Sequence, residues 1–107
     1  MKIIDVNSIT ELNNLFTQYK YTILKFSAEW CGPCKRIHPL FEKLSIEEKY
    51  NNICFISIDV DESRDICEKF QIEGMPTFIL IENEKEITRF SGASEMKLLD
   101  MLKNCNK

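Results

Sequence analysis

The stretch Y-T-I-L-K-F-S-A-E-W-C-G-P-C-K, residues 21–35, leads from an apolar segment directly into two closely spaced cysteines. Residues 21–28 are rich in β-forming side chains and nearly continuous in apolar character, which is typical of a strand buried on both faces. A helix is predicted from residue 31 or 34 to residue 45, with a kink at Pro39 because proline donates no backbone N–H. Cys31 and Cys34 thus lie between strand and helix, where α/β folds place their sites.

Further strands and helices are predicted on both sides of this stretch. Residues 2–6 form a strand, Ser8 and Glu11 form a capping box at the start of a helix, and residues 53–60 and 63–70 form a strand and a helix. Residues 77–81 and 86–90 form a hairpin, and Ser94 caps a last helix. The order β-α-β-α-β-α-β-β-α predicts one α/β domain over residues 1–107, a mixed sheet with helices on both faces.

Composition narrows the classes of function. The 107 residues carry a net charge of −3, which argues against a nucleic-acid partner. No apolar run approaches the roughly 20 residues that cross a bilayer, and the first residues do not resemble a signal peptide. We therefore expect no membrane association and a cytoplasmic location. Five cysteines at scattered spacing are a poor disulfide framework, so the close pair is more typical of catalysis or metal binding.

The position of Cys31 favours redox chemistry. A helix start exposes unpaired backbone N–H groups and partial positive charge, both of which favour an anion. A cysteine there is stabilised as thiolate, the nucleophilic form. Cys34 lies about one helical turn further on, within reach of a disulfide that opens and closes. A zinc site is disfavoured because no second C-x-x-C or nearby His–Cys set is present, so we expect neither metal nor cofactor.

Several motifs together resemble the thioredoxin family. They are W-C-G-P-C-K at residues 30–35, Pro39 inside the second helix, G-M-P-T at residues 74–77, and Gly92 before the last helix. The likeness covers nearly the whole chain. It implies a thioredoxin fold and a thiol–disulfide oxidoreductase that reduces protein disulfides. A rival from another class is a binding module that keeps this fold while its redox chemistry is dispensable.

The resemblance also implies roles for individual residues. Cys31 is the nucleophile that forms a mixed disulfide with a substrate protein, and Cys34 is the resolving thiol. The Met75–Pro76 peptide bond is cis, and the backbone of Met75 pairs with an extended substrate segment. The expected partners are disulfide-containing proteins and a thioredoxin reductase, and the protein is a monomer. The residues that shape the site and bind substrate are Trp30, Gly32, Pro33, Val60, Met75, Pro76, Gly92 and Ala93.

Lys25 departs from the family pattern, which usually has a buried acid six residues before the first cysteine. Two interpretations remain open. Lys25 lies beneath the cysteine pair and modulates proton transfer or thiol pKa, or it reaches water or pairs with Asp59. Ser57 also stands where relatives commonly carry a charge. His38 is interpreted as a helix-surface residue.

The remaining departures concern a turn and three cysteines. Glu84 stands where relatives often have glycine in the hairpin turn, and Asn83 is expected to supply the positive φ. Cys54 is interpreted as a buried apolar residue. Cys67 and Cys105 are placed on helices, where one of them could be exposed.

Overall fold

The computed structural model describes residues 2–105, and its elements follow the predicted order. They build the predicted α/β class, a mixed sheet that alternates along the chain with helices. The elements are β1 (Ile4–Asp5), α1 (Ile9–Gln18), β2 (Tyr21–Ser27), α2 (Gly32–Ser45), β3 (Ile53–Asp59), α3 (Arg64–Phe70), β4 (Thr77–Glu82), β5 (Lys85–Ser91) and α4 (Glu95–Lys103).

A five-stranded mixed sheet, in the order β1-β3-β2-β4-β5, divides the molecule into two apolar layers. β3 runs parallel to β1 and β2, whereas β4 runs antiparallel to β2 and β5. Neighbouring residues of β2 point to opposite faces, as in any strand. Ile23 packs with Phe41 of α2 in one core cluster, and Leu24 packs with Leu12 of α1 in the other. The predicted burial of the central strand on both faces is confirmed.

Side-chain caps fix the starts of the helices. The Ser8 hydroxyl accepts a hydrogen bond from the backbone N–H of Glu11 at 3.3 Å, and the Ser94 hydroxyl accepts one from Lys97 at 3.2 Å. Each bond satisfies one of the backbone donors that a helix start leaves unpaired. Both predicted caps are therefore confirmed, and α2 continues through Pro39 to Ser45.

The structure differs from the expectations in three local features. β1 covers two residues instead of five, and a short 3₁₀ turn at Glu48–Tyr50 was not predicted. The hairpin turn is tighter than expected because β5 already begins at Lys85. Asn83 and Glu84 both take positive φ, at 50° and 71°. Asn83 supplies the positive φ as expected, and Glu84 shares it, so this turn holds a residue type that disfavours its backbone conformation.

No helix within residues 2–105 has the length and apolar character needed to span a membrane.

Candidate active site

The cysteine pair closes a disulfide at the start of α2. β2 ends at Ser27, and Cys31 is the N-cap residue of α2, with its Cα 5.3 Å from that of Cys34. The Cys31 sulfur accepts a hydrogen bond from the backbone N–H of Cys34 at 3.2 Å. Pro33 fits the first turn, where no N–H is required. When the disulfide opens, the Cys31 sulfur lies at a helix start, where backbone N–H groups and the helix dipole favour a thiolate.

Apolar side chains surround the disulfide. Cys31 and Cys34 are buried together with Ala28, and Val60 and Met75 pack against them. The structure thus brings Val60 and Met75, which lie far apart in sequence, to the pair as expected. Trp30 beside them is 67% exposed, and its indole N–H donates to the Asp61 carboxylate at 2.8 Å.

Backbone contacts hold the segment that carries Met75. The Met75–Pro76 bond is cis, as predicted. The Pro76 carbonyl accepts a hydrogen bond from the backbone N–H of Gly92 at 2.8 Å. The Thr77 hydroxyl donates to the Gly74 carbonyl at 2.6 Å. Gly92 is therefore linked to the site through Pro76.

Of the remaining residues expected to shape the site, two lie beside the cysteine pair and one packs against the core. Gly32 and Pro33 are exposed beside the cysteine pair in the first turn of α2. Ala93 packs against the core cluster that contains Phe41.

Lys25 is buried in the centre of the sheet, with 3% of its surface exposed. Its Nζ lies 2.5 Å from Nδ1 of His38 and 5.3 Å from the centroid of the Phe41 ring. Burial lowers the pKa of Lys25 to about 8, although the carboxylates of Asp5 and Glu42 act in the opposite direction. Of the two interpretations, the one that brings Lys25 to water is wrong, and its contact is with His38 rather than Asp59.

His38 is the residue that sequence reasoning missed. It is half-buried on α2, and its Nε2 lies 3.7 Å from the Glu42 carboxylate. Burial and the nearby Lys25 charge lower the pKa of His38, against the opposing effect of Glu42 and Asp5. The available signal was spacing, since residues four apart on a helix, such as Cys34 and His38, share one face.

A cavity of about 750 Å³ opens beneath the cysteine pair. Residues of β1, β2, β3 and α2 form its walls. Cys34 therefore contacts polar groups in this cavity and apolar side chains, Val60 and Met75, elsewhere. Its lining includes Asp5, Lys25, Cys34, His38, Ser57 and Asp59.

The other three cysteines differ from the active-site pair in their surroundings. Cys54 and Cys105 are buried, and burial raises the pKa of each thiol to about 11. Burial and nearby aspartates also raise the pKa of Cys67, which is half-buried on α3. The interpretation of Cys54 as a buried apolar residue is confirmed, whereas Cys105 lies beyond the end of α4 rather than on it. Thiols with raised pKa are poor nucleophiles at neutral pH.

The part of the chain that the structure describes holds no group of three or more His, Cys, Asp or Glu side chains placed to bind a metal ion.

Comparison with known proteins agrees with this geometry. The thioredoxin family model matches residues 5–104. Thioredoxin from Ictalurus punctatus is 44% identical over 79 residues, which are 74% of each chain. The solved structure of Malassezia sympodialis thioredoxin superposes with a TM-score of 0.92 at 31% identity, covering 100% of this chain and 96% of that one.

A longer relative matches across almost the whole chain. It is the peptide-N(4)-(N-acetyl-beta-glucosaminyl)asparagine amidase of Caenorhabditis elegans, 35% identical over 106 residues. The match covers 96% of this chain and 17% of the amidase. The chain therefore belongs to the thioredoxin family and carries the redox-active cysteine pair of a thiol–disulfide oxidoreductase.

Proposed function

We propose that this protein reduces disulfides of other proteins by a two-step thiol exchange. The Cys31 thiolate attacks one substrate sulfur, so that a mixed disulfide forms and the other substrate sulfur leaves as a thiolate. Cys34 then loses its proton and attacks Cys31. The Cys31–Cys34 disulfide forms, and the second substrate sulfur is released. The observation that carries this assignment is the hydrogen bond from the Cys34 N–H to the Cys31 sulfur at the start of α2.

The substrate segment lies on the apolar surface next to the disulfide. Val60 and Met75 pack against the cysteines, and Trp30 offers a large exposed aromatic face. An extended chain pairing with the backbone of Met75 would bring its own disulfide to Cys31, a form of β-strand addition. Gly32, Pro33, Pro76, Gly92 and Ala93 complete the proposed binding surface.

The oxidised protein needs a source of electrons for the next cycle. Its partners are disulfide-containing proteins and a reductase of the kind that serves this family. We further propose that the electron donor is a thioredoxin reductase, that the protein is a monomer, and that it is cytoplasmic. A dispensable redox centre is the less favoured alternative, because the family match and the closed cysteine pair both support catalysis.

Mixed-disulfide trapping tests the assigned roles. Cys34→Ser removes the resolving thiol, so this variant should accumulate covalent complexes with disulfide-containing proteins that dithiothreitol releases. Cys31→Ser should trap none. Cys67→Ser is the control, because Cys67 is a half-buried thiol on α3 that has no role in the exchange, and it should behave as the unmodified protein. Equal trapping by the Cys31 and Cys34 variants would contradict the assignment.

A further inference from the structure

Lys25 and His38 share one hydrogen bond in the interior, and this limits the charge that they carry. An ammonium has only donors, and a doubly protonated imidazole also has only donors. The contact between Lys25 Nζ and His38 Nδ1 therefore requires that one of the two nitrogens keeps its lone pair. With Lys25 charged, neutral His38 accepts the bond at Nδ1. At neutral pH these two side chains, here called the amine–imidazole pair, hold a single positive charge.

The amine–imidazole pair lies on the polar side of the resolving cysteine. Cys34 and His38 are one turn apart on the same face of α2, and Lys25 reaches that face from β2. All three residues line the cavity beneath the disulfide. The cavity opens to solvent, so a proton leaving Cys34 has a route out of the interior.

Other charged groups face this cavity from the surrounding elements, and their effects must be separated from that of Lys25. β1 and β3 contribute one carboxylate each, α2 contributes a lysine, and the loops before α2 and after β3 contribute one carboxylate each. These residues are Asp5, Glu29, Lys35, Asp59 and Glu62. Glu42 acts on the pair from α2, with its carboxylate 3.7 Å from Nε2 of His38.

We propose that the amine–imidazole pair places a buried cation in the cavity that Cys34 lines and stabilises the thiolate of Cys34 during the resolving step. This inference rests on the proposed function and deepens it. Cys34 releases its proton to solvent through the cavity, and its sulfur bonds to Cys31 while the bond from Cys31 to the substrate breaks. The substrate leaves as a thiolate. Lys25 stays charged throughout, and His38 acts as a positioning residue that holds the ammonium.

The proposal predicts the sign of the effect of each residue on the Cys34 thiol. Removing the charge at residue 25 should raise the pKa of Cys34, and placing a carboxylate there should raise it further. Any side chain at residue 38 that accepts a hydrogen bond should be enough to keep the Lys25 ammonium in position. His38→Gln keeps an oxygen that accepts the bond, whereas His38→Leu does not.

The experiment measures the rate of Cys34 alkylation against pH in a Cys31→Ser background, with labelling read by mass spectrometry of the Cys34 peptide. Lys25→Met should raise the pKa of Cys34 by about one unit, so the labelling rate at pH 7 falls about tenfold. Lys25→Asp should lower the rate further. His38→Leu should lower it, and His38→Gln should restore it. Lys43→Met, which removes an exposed charge on α2, should leave the rate unchanged.

An unchanged or lowered pKa of Cys34 in Lys25→Met would overturn the proposal. So would equal rates in His38→Gln and His38→Leu. Trapping by Cys34→Ser reports on Cys31 alone and does not depend on the Cys34 proton. Loss of trapping would therefore reject the proposed function, whereas intact trapping with an unmoved Cys34 pKa would reject only the role of the amine–imidazole pair.

Discussion

Lys25→Met removes a buried charge while keeping an unbranched side chain, and we expect it to stabilise the folded protein at neutral pH. Lys25 is 3% exposed, and burial lowers its pKa from 10.5 to about 8 against the opposing carboxylates of Asp5 and Glu42. A lysine pKa that is lower in the folded state means that the charged form opposes folding.

The size of this effect follows from linkage. At pH 7 the Lys25 amine is charged in both the folded and the unfolded state. Burying this charge lowers the free energy of unfolding by about 3 kcal/mol. Between pH 8 and 10.5 the unfolded chain still binds the proton that the folded state has lost, so stability rises with pH. At pH 9.5 the remaining cost is about 1 kcal/mol.

The substitution also removes the hydrogen bond to His38, a loss of about 1 kcal/mol. Lys25→Met should therefore raise the free energy of unfolding by about 2 kcal/mol at pH 7 and by almost nothing at pH 9.5.

Urea unfolding of the oxidised proteins at these two pH values measures the difference directly. Cys54 and Cys105, whose pKa values burial raises to about 11, lose their stabilising contribution as pH rises above 9. That loss is common to both proteins and cancels. Lys43→Met, at an exposed position of α2, should stay within about 0.5 kcal/mol of the unmodified protein. A Lys25→Met protein that is less stable at pH 7, or whose advantage persists at pH 9.5, would refute the reasoning.

Two further predictions concern the active-site thiols and the hairpin. In the reduced protein at neutral pH, iodoacetamide should label Cys31 at least about tenfold faster than Cys34, because the helix start stabilises the Cys31 thiolate. Peptide mass spectrometry measures both rates, and faster labelling of Cys34 would reverse the two roles. Glu84→Gly should raise the free energy of unfolding by about 0.5–1 kcal/mol, because glycine relieves the positive φ of 71°. Thermal unfolding measures this change, with Asn83→Gly as a control that should gain less, since asparagine tolerates positive φ; a destabilised Glu84→Gly would show that the turn is not strained there.

Local patterns were sufficient to predict most of the fold. The caps at Ser8 and Ser94 depend on residues three positions apart in sequence. The continuous apolar run of β2 indicates a strand that is buried on both faces. The cysteine motif is also local, so its place at the start of α2 followed from neighbouring residues alone. The turn length was misjudged because Glu84 gives no signal for positive φ.

The surroundings of Lys25 could not be predicted in the same way. Its contact with His38 joins a strand to a helix, and the Asp5 carboxylate comes from a third element. Such contacts depend on sheet order and on which helix face packs inward, neither of which a single sequence records. The sequence identifies Lys25 as a departure with two possible outcomes, and only the packing of α2 on β2 excludes the one in which Lys25 reaches water.

Reduction of insulin disulfides by dithiothreitol, followed as turbidity, tests most directly whether the Cys31–Cys34 pair carries electrons to protein disulfides. The folded protein at micromolar concentration should shorten the lag before precipitation and increase its rate. Cys31→Ser and Cys34→Ser should each behave as a reaction without added protein, and Cys67→Ser should match the unmodified protein. A folded, unmodified protein that leaves the time course unchanged, or a Cys31→Ser variant that retains the acceleration, would contradict the account.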